Sequence, residues 1–282
     1  MLKLFYHKHK SNPNFWKRIV IGIIGIAYFY FFSHGMAISH VYDSPFQFKG
    51  GDITYWLVSF TQLLRIIVYN YYSAFYFDLI IFLTLISSFI FTKKRWLTGL
   101  LGLLMLIYHI LFNYKIGYHA HYLFGFHVAL FPFYFHQNLF NWAVGFARII
   151  VCLNYASSGF FKILHKAWAF PDNFSNLLQG QHAGFMYFNP NSLQTKIYAW
   201  LIDNPLIGYG ILLSAIALQL SFLAGILSNK YNKILFIFLI LFHVSDWFLM
   251  NLGIFMCFLP MAWVFVYDNK FEINFHNFKL KS

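Results

Sequence analysis

The stretch FNWAVGFARIIVCLNYASSGFFKILHKAW, Phe140–Trp168, decides the fold. It is apolar enough to cross a bilayer, yet it carries Arg148, Asn154, Ser157, Ser158 and Lys162. Wound as a helix at about 100° per residue, it puts Arg148, Cys152, Tyr155, Gly159 and Lys162 on one face. The separation of fourteen residues from Arg148 to Lys162 spans roughly 21 Å of helix. One cation therefore sits well inside the hydrocarbon and the other near its edge. Ionisable residues in a span are expensive, and they usually face a bundle interior and act there.

Composition fits a chain built around such a helix. Of its 282 residues 60% are hydrophobic, 23% aromatic and only 10% charged, with a mean hydropathy of +0.60. Soluble chains carry about 25% charge. Long unbroken apolar runs, rather than alternating strands of about ten residues, argue against a β-barrel and predict an all-α, polytopic membrane bundle. The excess of 20 Lys and Arg over 8 Asp and Glu sits at span ends and reports topology, not nucleic-acid binding. Cys152 and Cys257 both fall in apolar runs and form no disulfide framework or zinc pattern.

About eight transmembrane helices follow from the hydropathy, in one domain over 1–282 with no soluble domain. The first, near 19–39, follows a basic segment without a small-residue cleavage site and is expected to be retained. Residues 52–70 carry apolar positions at helical spacing opposite Thr54, Gln62 and Arg65, which predicts an amphipathic helix at the interface or packed on the bundle. Spans near 72–91 and 96–113 flank Lys93-Lys94-Arg95. A short fourth span at 122–135 contains Gly125 and Pro132, and the opening helix is the fifth. Residues 165–204 form the longest polar stretch, expected as an external lid or re-entrant element. Spans at 205–227, 234–250 and 252–266 complete the count. With eight crossings every basic cluster lies on one side, so both termini are placed in the cytoplasm, the chain in a bacterial plasma (inner) membrane, and Lys162 at the non-cytoplasmic mouth.

The polar residues divide by depth. Lys162 either snorkels to the headgroups or acts as a general base, since a lysine in an apolar pocket can lose its proton. Arg148 reads as a structural cation paired with a carboxylate, Asp78, Asp203 or Asp246, or with helix-end carbonyls. His243 and Asp246, three apart on one helix, share a face and suit either a helix-gluing hydrogen bond or an oriented imidazole for proton transfer. His119 and His121 flank the mouth of the fourth span. No pair of histidines comes with a carboxylate at ligand spacing, so no metal is expected. The many aromatic residues permit a quinone-sized apolar slot.

Three ordered motifs resemble one known family. YASSGFFK at 155–162, followed by Trp168, is similar to the Y-x-x-x-G-x-x-K … W segment of the vitamin K-dependent γ-carboxylases. That segment also marks the wider HTTM (horizontally transferred transmembrane domain) group. Asn141-Trp142-Ala143-Val144 with Arg148 resembles the run before it, and His121–Gly125 the His/Tyr-Leu-aromatic-Gly element. Phe242-His243 with Gly253 and Phe255 resembles the F-H … G-x-F helix. Together they cover roughly residues 119–260. The resemblance implies a bundle of eight or so helices whose site opens on the non-cytoplasmic face. It implies that Lys162 deprotonates a reduced quinone of the vitamin K or menaquinone type, assisted by His121 or His119, with His243 aiding proton transfer. Tyr155, Gly159 and Trp168 then belong to the cofactor site, and Arg148 and Asp246 are structural charges. Gln219 stands where the family often has an acid, and Pro171 where it has glycine. These departures fit quinone-base chemistry better than carboxylation of a glutamate-rich protein.

Three functions remain in view. The first is a membrane enzyme that uses a reduced quinone. The second is a non-catalytic or maturation partner of a small exported peptide, resembling the SdpB-like branch of the same group, which would engage the peptide on the external face. The third is a transporter, for which Arg148 and Asp246 offer thin support.

Overall fold

A computed structural model describes residues 12–43, 53–116, 123–250 and 255–267. All the regular structure among them is helical. Six helical segments are long and apolar enough to cross a membrane: Pro13–Val41, Tyr71–Ile90, Arg95–Lys115, Leu139–Leu164, Pro205–Leu227 and Asn229–Leu249. The chain is an integral membrane protein by that measure. The segments expected as the fourth and eighth spans form shorter apolar helices, Phe124–Tyr134 and Met256–Phe265. Each contains a proline, Pro132 or Pro260, at the start of a 3₁₀ turn, because proline lacks the N–H that would continue an α-helix. The chain forms two compact units. One holds the described residues up to Ala147 together with those from Met256 onward, the other those from Arg148 to Phe255.

In the first unit, helix α1 (Pro13–Ser33) starts with a proline behind Asn12, whose side chain accepts from the Asn14 and Phe15 amides at 3.0 and 3.3 Å. Gly35, at φ 71°, turns the chain into the short α2 (Ile38–Val41). The turn is held by Asp78 on α5 (Tyr71–Ile90), which is fully buried. Its carboxylate accepts from the Tyr28 hydroxyl at 2.6 Å and from the Ile38 and Ser39 amides at 3.3 and 2.8 Å. A buried charge persists when hydrogen-bonded in this way. The amphipathic stretch expected at 52–70 is two helices, α3 (Ile53–Phe60) and α4 (Gln62–Tyr69), broken at Thr61 and packed on α5 and on α6 (Arg95–Ile116).

Helix α7 (Phe124–Leu130) and its 3₁₀ continuation to Tyr134 run back along α6. His127 stacks on His109 at 5.7 Å, and the Tyr134 hydroxyl lies against Gly102, where a Cβ would collide. The chain thus returns to the end of the unit where Lys17, Thr92 and Arg95 meet Phe133 and Phe140. Helix α8 (Gln137–Leu164) starts there. The last described segment, α14 (Phe255–Phe258) with the 3₁₀ turn Leu259–Phe265, follows the same course as α7. Gly125 lets the Cys257 carbonyl approach, Trp263 donates to the Ala129 carbonyl at 3.2 Å, and Tyr267 donates to Asn141 at 3.1 Å.

The second unit contains the rest of α8, the paired helices α9 (Asn173–Phe188) and α10 (Leu193–Asp203), then α11 (Pro205–Ser221), α12 (Leu223–Leu227) and α13 (Asn232–Met250). The polar stretch 165–204 is therefore a helical hairpin. Its core is Phe174, Leu178, Tyr198 and Leu201. It packs on α11 where Gly208 leaves room for Phe174, and it covers the last turn of α13. There the Tyr198 hydroxyl donates to the Phe248 carbonyl at 3.0 Å and His182 Nε2 meets the Leu249 carbonyl at 2.8 Å. These side chains satisfy helix-end carbonyls that have no intrahelical partner.

Candidate functional site

Helix α8 carries the site, and its first requirement is an answer to the buried charge at Arg148. The side chain is 1% exposed. Its Nη1 donates to the Gly225 carbonyl, to the Ser228 carbonyl at 3.4 Å and to Asn232 Oδ1 at 3.3 Å. These acceptors are the carbonyls of a helix end and an amide, the second of the pairings expected from the sequence. Helix ends carry partial negative charge, which complements the guanidinium. Gly225 brings this chain end close to α8, since a Cβ there would lie 2.6 Å from Cys152 Sγ.

Two turns further along, the Tyr155 hydroxyl hydrogen-bonds His243 Nε2 on α13. Both residues are buried. Tyr155 also stacks on Phe222 at 4.6 Å. The pair joins α8 to α13 in the manner of interhelical polar contacts in membrane bundles. Gly159 faces α11, where a Cβ would meet Leu220 and Gln219 at 3.1–3.2 Å. Its small surface serves helix packing.

At Lys162 the same face opens. The Nζ donates to Ser158 Oγ at 3.1 Å and to Gln219 Oε1 at 3.0 Å, while Gln219 Nε2 donates to Ser158 Oγ at 3.2 Å. The three side chains close a triangle between α8 and α11. Gln219 is 2% exposed, Lys162 half-buried. Asp246 on α13, one turn beyond His243, interacts electrostatically with the Lys162 ammonium. Lysine is thus held at hydrogen-bond distance by two neutral groups, with a carboxylate as its electrostatic partner.

The chain after Lys162 is fixed. The Ala167 amide bonds back to the Lys162 carbonyl at 2.9 Å and the Lys166 amide to Ile163 at 3.0 Å. This is the paired C-terminal closure usually built on glycine, yet Lys166 occupies the left-handed position at φ 54°. Trp168 is exposed, donates to the Ile163 carbonyl at 3.2 Å and accepts from Tyr209 at 2.8 Å. It braces the helix end against α11.

An apolar slot of about 420 Å³ lies between α11 and α13, lined by residues that include Ile211, Ala215, Leu218, Leu241, Phe242 and Ser245. Lys162 is not in its lining. Leu218, Phe242 and Ser245 are sequence neighbours of Gln219, His243 and Asp246.

The structure thus brings together Lys162, Ser158 and Gln219, within electrostatic reach of Asp246, and separately Tyr155 and His243, with Arg148 two turns earlier on α8. His119 and His121 lie outside the described residues. Among the described residues no group of three or more histidine, cysteine or acidic side chains is placed to hold a metal. Sequence reasoning missed the contact role of Gln219 and the capping roles of His182 and Tyr198. For His182 a signal existed: Phe174, Leu178, His182 and Phe185 recur at helical spacing. Comparison with protein-family models, with curated proteins and with solved structures returned no match.

Proposed function

We propose that the chain is a multi-pass membrane enzyme of the HTTM, γ-carboxylase-like type that acts on a reduced quinone at the non-cytoplasmic face, with Lys162 as its base. The observation that carries this reading is the triangle of Lys162, Ser158 and Gln219. A lysine amine can accept a proton from a quinol hydroxyl only if it is uncharged. Asp246 favours the ammonium, while both hydrogen-bond acceptors of Nζ are neutral and favour it less than a paired carboxylate would. Gln219 and Ser158 orient Nζ, and the apolar slot between α11 and α13 offers a surface for an isoprenoid ring or tail. Tyr155 and His243 hold the neighbouring helix in register. A bound quinone would supply the oxidisable ring, and the chain's own contribution is the placed amine.

The eight-pass topology with both termini in the cytoplasm belongs to the same proposal. Support comes from the course of α7 back along α6, and of α14 beside α7, towards Lys17 and Arg95. Helix α8 starts at that end and is long enough to cross, so Lys162, in its last turn, falls on the opposite side. The cytoplasmic placement of the basic clusters follows the positive-inside rule, and a plasma (inner) membrane setting is part of the same proposal.

The test is lipid-extract mass spectrometry of the purified protein, combined with turnover of a menaquinol or vitamin K hydroquinone in nanodiscs. A co-purifying quinone is expected, with turnover abolished in Lys162→Ala and in Lys162→Arg at unchanged protein yield. Full turnover in Lys162→Ala, or no quinone and no turnover in the wild type, would sink the reading.

A second reading has one observation of its own. The hairpin tip exposes Tyr187, Phe188 and Leu193, a surface suited to a small exported peptide. In that case Lys162→Arg is tolerated and polar replacements at the tip abolish function.

A further inference from the structure

The first unit holds a cavity that the quinone reading does not use. It lies where α1 and α6 begin and measures about 220 Å³, several times the ~30 Å³ share of one liquid water. Lys17, Lys93 and Arg95 line it on one side, Phe133, Phe135 and Phe140 on the other. Lys17 is 3% exposed. Its Nζ donates to the Thr92 carbonyl at 2.8 Å and to the Lys94 carbonyl at 3.5 Å. An ammonium has three donors, so these bonds leave one N–H, and carbonyls neutralise no charge.

Among the described residues nothing else compensates the charge. Lys17 and Arg95 repel one another, and among the described residues no carboxylate lines the cavity. The two acids described in this unit are engaged elsewhere. Asp78 is bonded to Tyr28 and the start of α2, and Asp43 acts on Lys115 at the other end of α6. The first turns of α1 and α6 add the positive ends of two helix dipoles. A buried cation, a repelling neighbour and two helix starts converge on one space that an anion fits.

We infer that this cavity binds a phosphate-bearing anion, either the phosphodiester of an anionic phospholipid or free phosphate, between Lys17, Lys93 and Arg95. The three phenylalanines beside the cations match a headgroup with acyl chains attached. Basic pockets at the ends of membrane helices select lipid headgroups in this way.

Native mass spectrometry of the full chain, released from nanodiscs of phosphatidylglycerol or of phosphatidylcholine, tests the inference. Phosphatidylglycerol is expected to stay bound under activation that strips phosphatidylcholine. The double variant K93Q/R95Q, with both positions exposed, is expected to lose roughly tenfold in retention while its melting temperature in detergent holds. Lys17→Met should do the same, and K230Q/K233Q should change nothing. If millimolar inorganic phosphate raises the melting temperature and displaces the lipid, the site is one for free phosphate; if it does neither, the lipid is the ligand. Equal retention of the two lipids with no effect of phosphate overturns the inference. So does full retention in both K93Q/R95Q and Lys17→Met.

Discussion

Gln219 shows how much a single side chain decides. It meets Lys162 at 3.0 Å, and a carboxylate at the same place would make an ion pair. An opposite charge at that distance favours the ammonium, so Gln219→Glu is expected to lower quinol turnover at least tenfold while leaving the folded yield unchanged. Turnover at several pH values checks it, because loss of activity by pairing is relieved at high pH and loss by misfolding is not. Arg148 calls for a different measurement. Arg148→Leu strands the Gly225 and Ser228 carbonyls and should cost about 1–3 kcal/mol, read as a lower melting temperature in detergent. Lys162 and Arg148 were legible in the sequence because both stand on one helix and one face. Their partners were not. Gln219 is 57 positions from Lys162 and Gly225 is 77 from Arg148, and no local periodicity encodes such pairings.

Elements reveal where sequence patterns compete. The stretch 165–204 reads as polar because Asn, Gln and His interrupt its apolar positions. Its helices form because those positions recur at helical spacing and because Ser192 caps α10, accepting from the Thr195 amide at 3.1 Å. The fourth and eighth segments read as spans because they are apolar, and Pro132 and Pro260 then turn part of each into a 3₁₀ helix. Composition reports burial, while the prolines decide how the backbone is hydrogen-bonded. Lys166 offers a direct test at this scale. It holds a left-handed conformation at the end of α8, which costs a residue with a Cβ about 1 kcal/mol. Lys166→Gly should therefore raise the melting temperature slightly. A drop would mean that the lysine side chain contributes more than its backbone costs.

At the scale of the molecule, topology is the open quantity with the sharpest assay. Both native cysteines are buried, so single introduced cysteines can be labelled against a quiet background. Lys93→Cys and Lys230→Cys are expected to react from the cytoplasmic side, and Ser192→Cys, at the base of α10, from the outside. Labelling of Lys230→Cys from outside would remove the eight-pass proposal and with it the external placement of Lys162. All-helical architecture and membrane residence were readable from composition and its long apolar runs, since soluble chains typically carry about 25% charge. The division into two compact units was not, because it depends on which helices pack together and the apolar faces of neighbouring spans look alike in sequence.

The pairing of Arg148 also sets a schedule for synthesis. Its acceptors are made 77 to 84 residues later. At about 5–20 residues per second, the guanidinium spends on the order of 4–17 s at the membrane before Gly225, Ser228 and Asn232 exist. During that interval α8 lacks these three contacts, and a guanidinium in a span is costly enough to favour shelter by the insertion machinery or water. A photo-crosslinker beside Arg148 is accordingly expected to capture the translocon in nascent chains stalled before residue 225, and to lose that partner once Asn232 has entered the bilayer. Persistent crosslinking after Asn232, or none before it, would show that α8 leaves the machinery on a different cue.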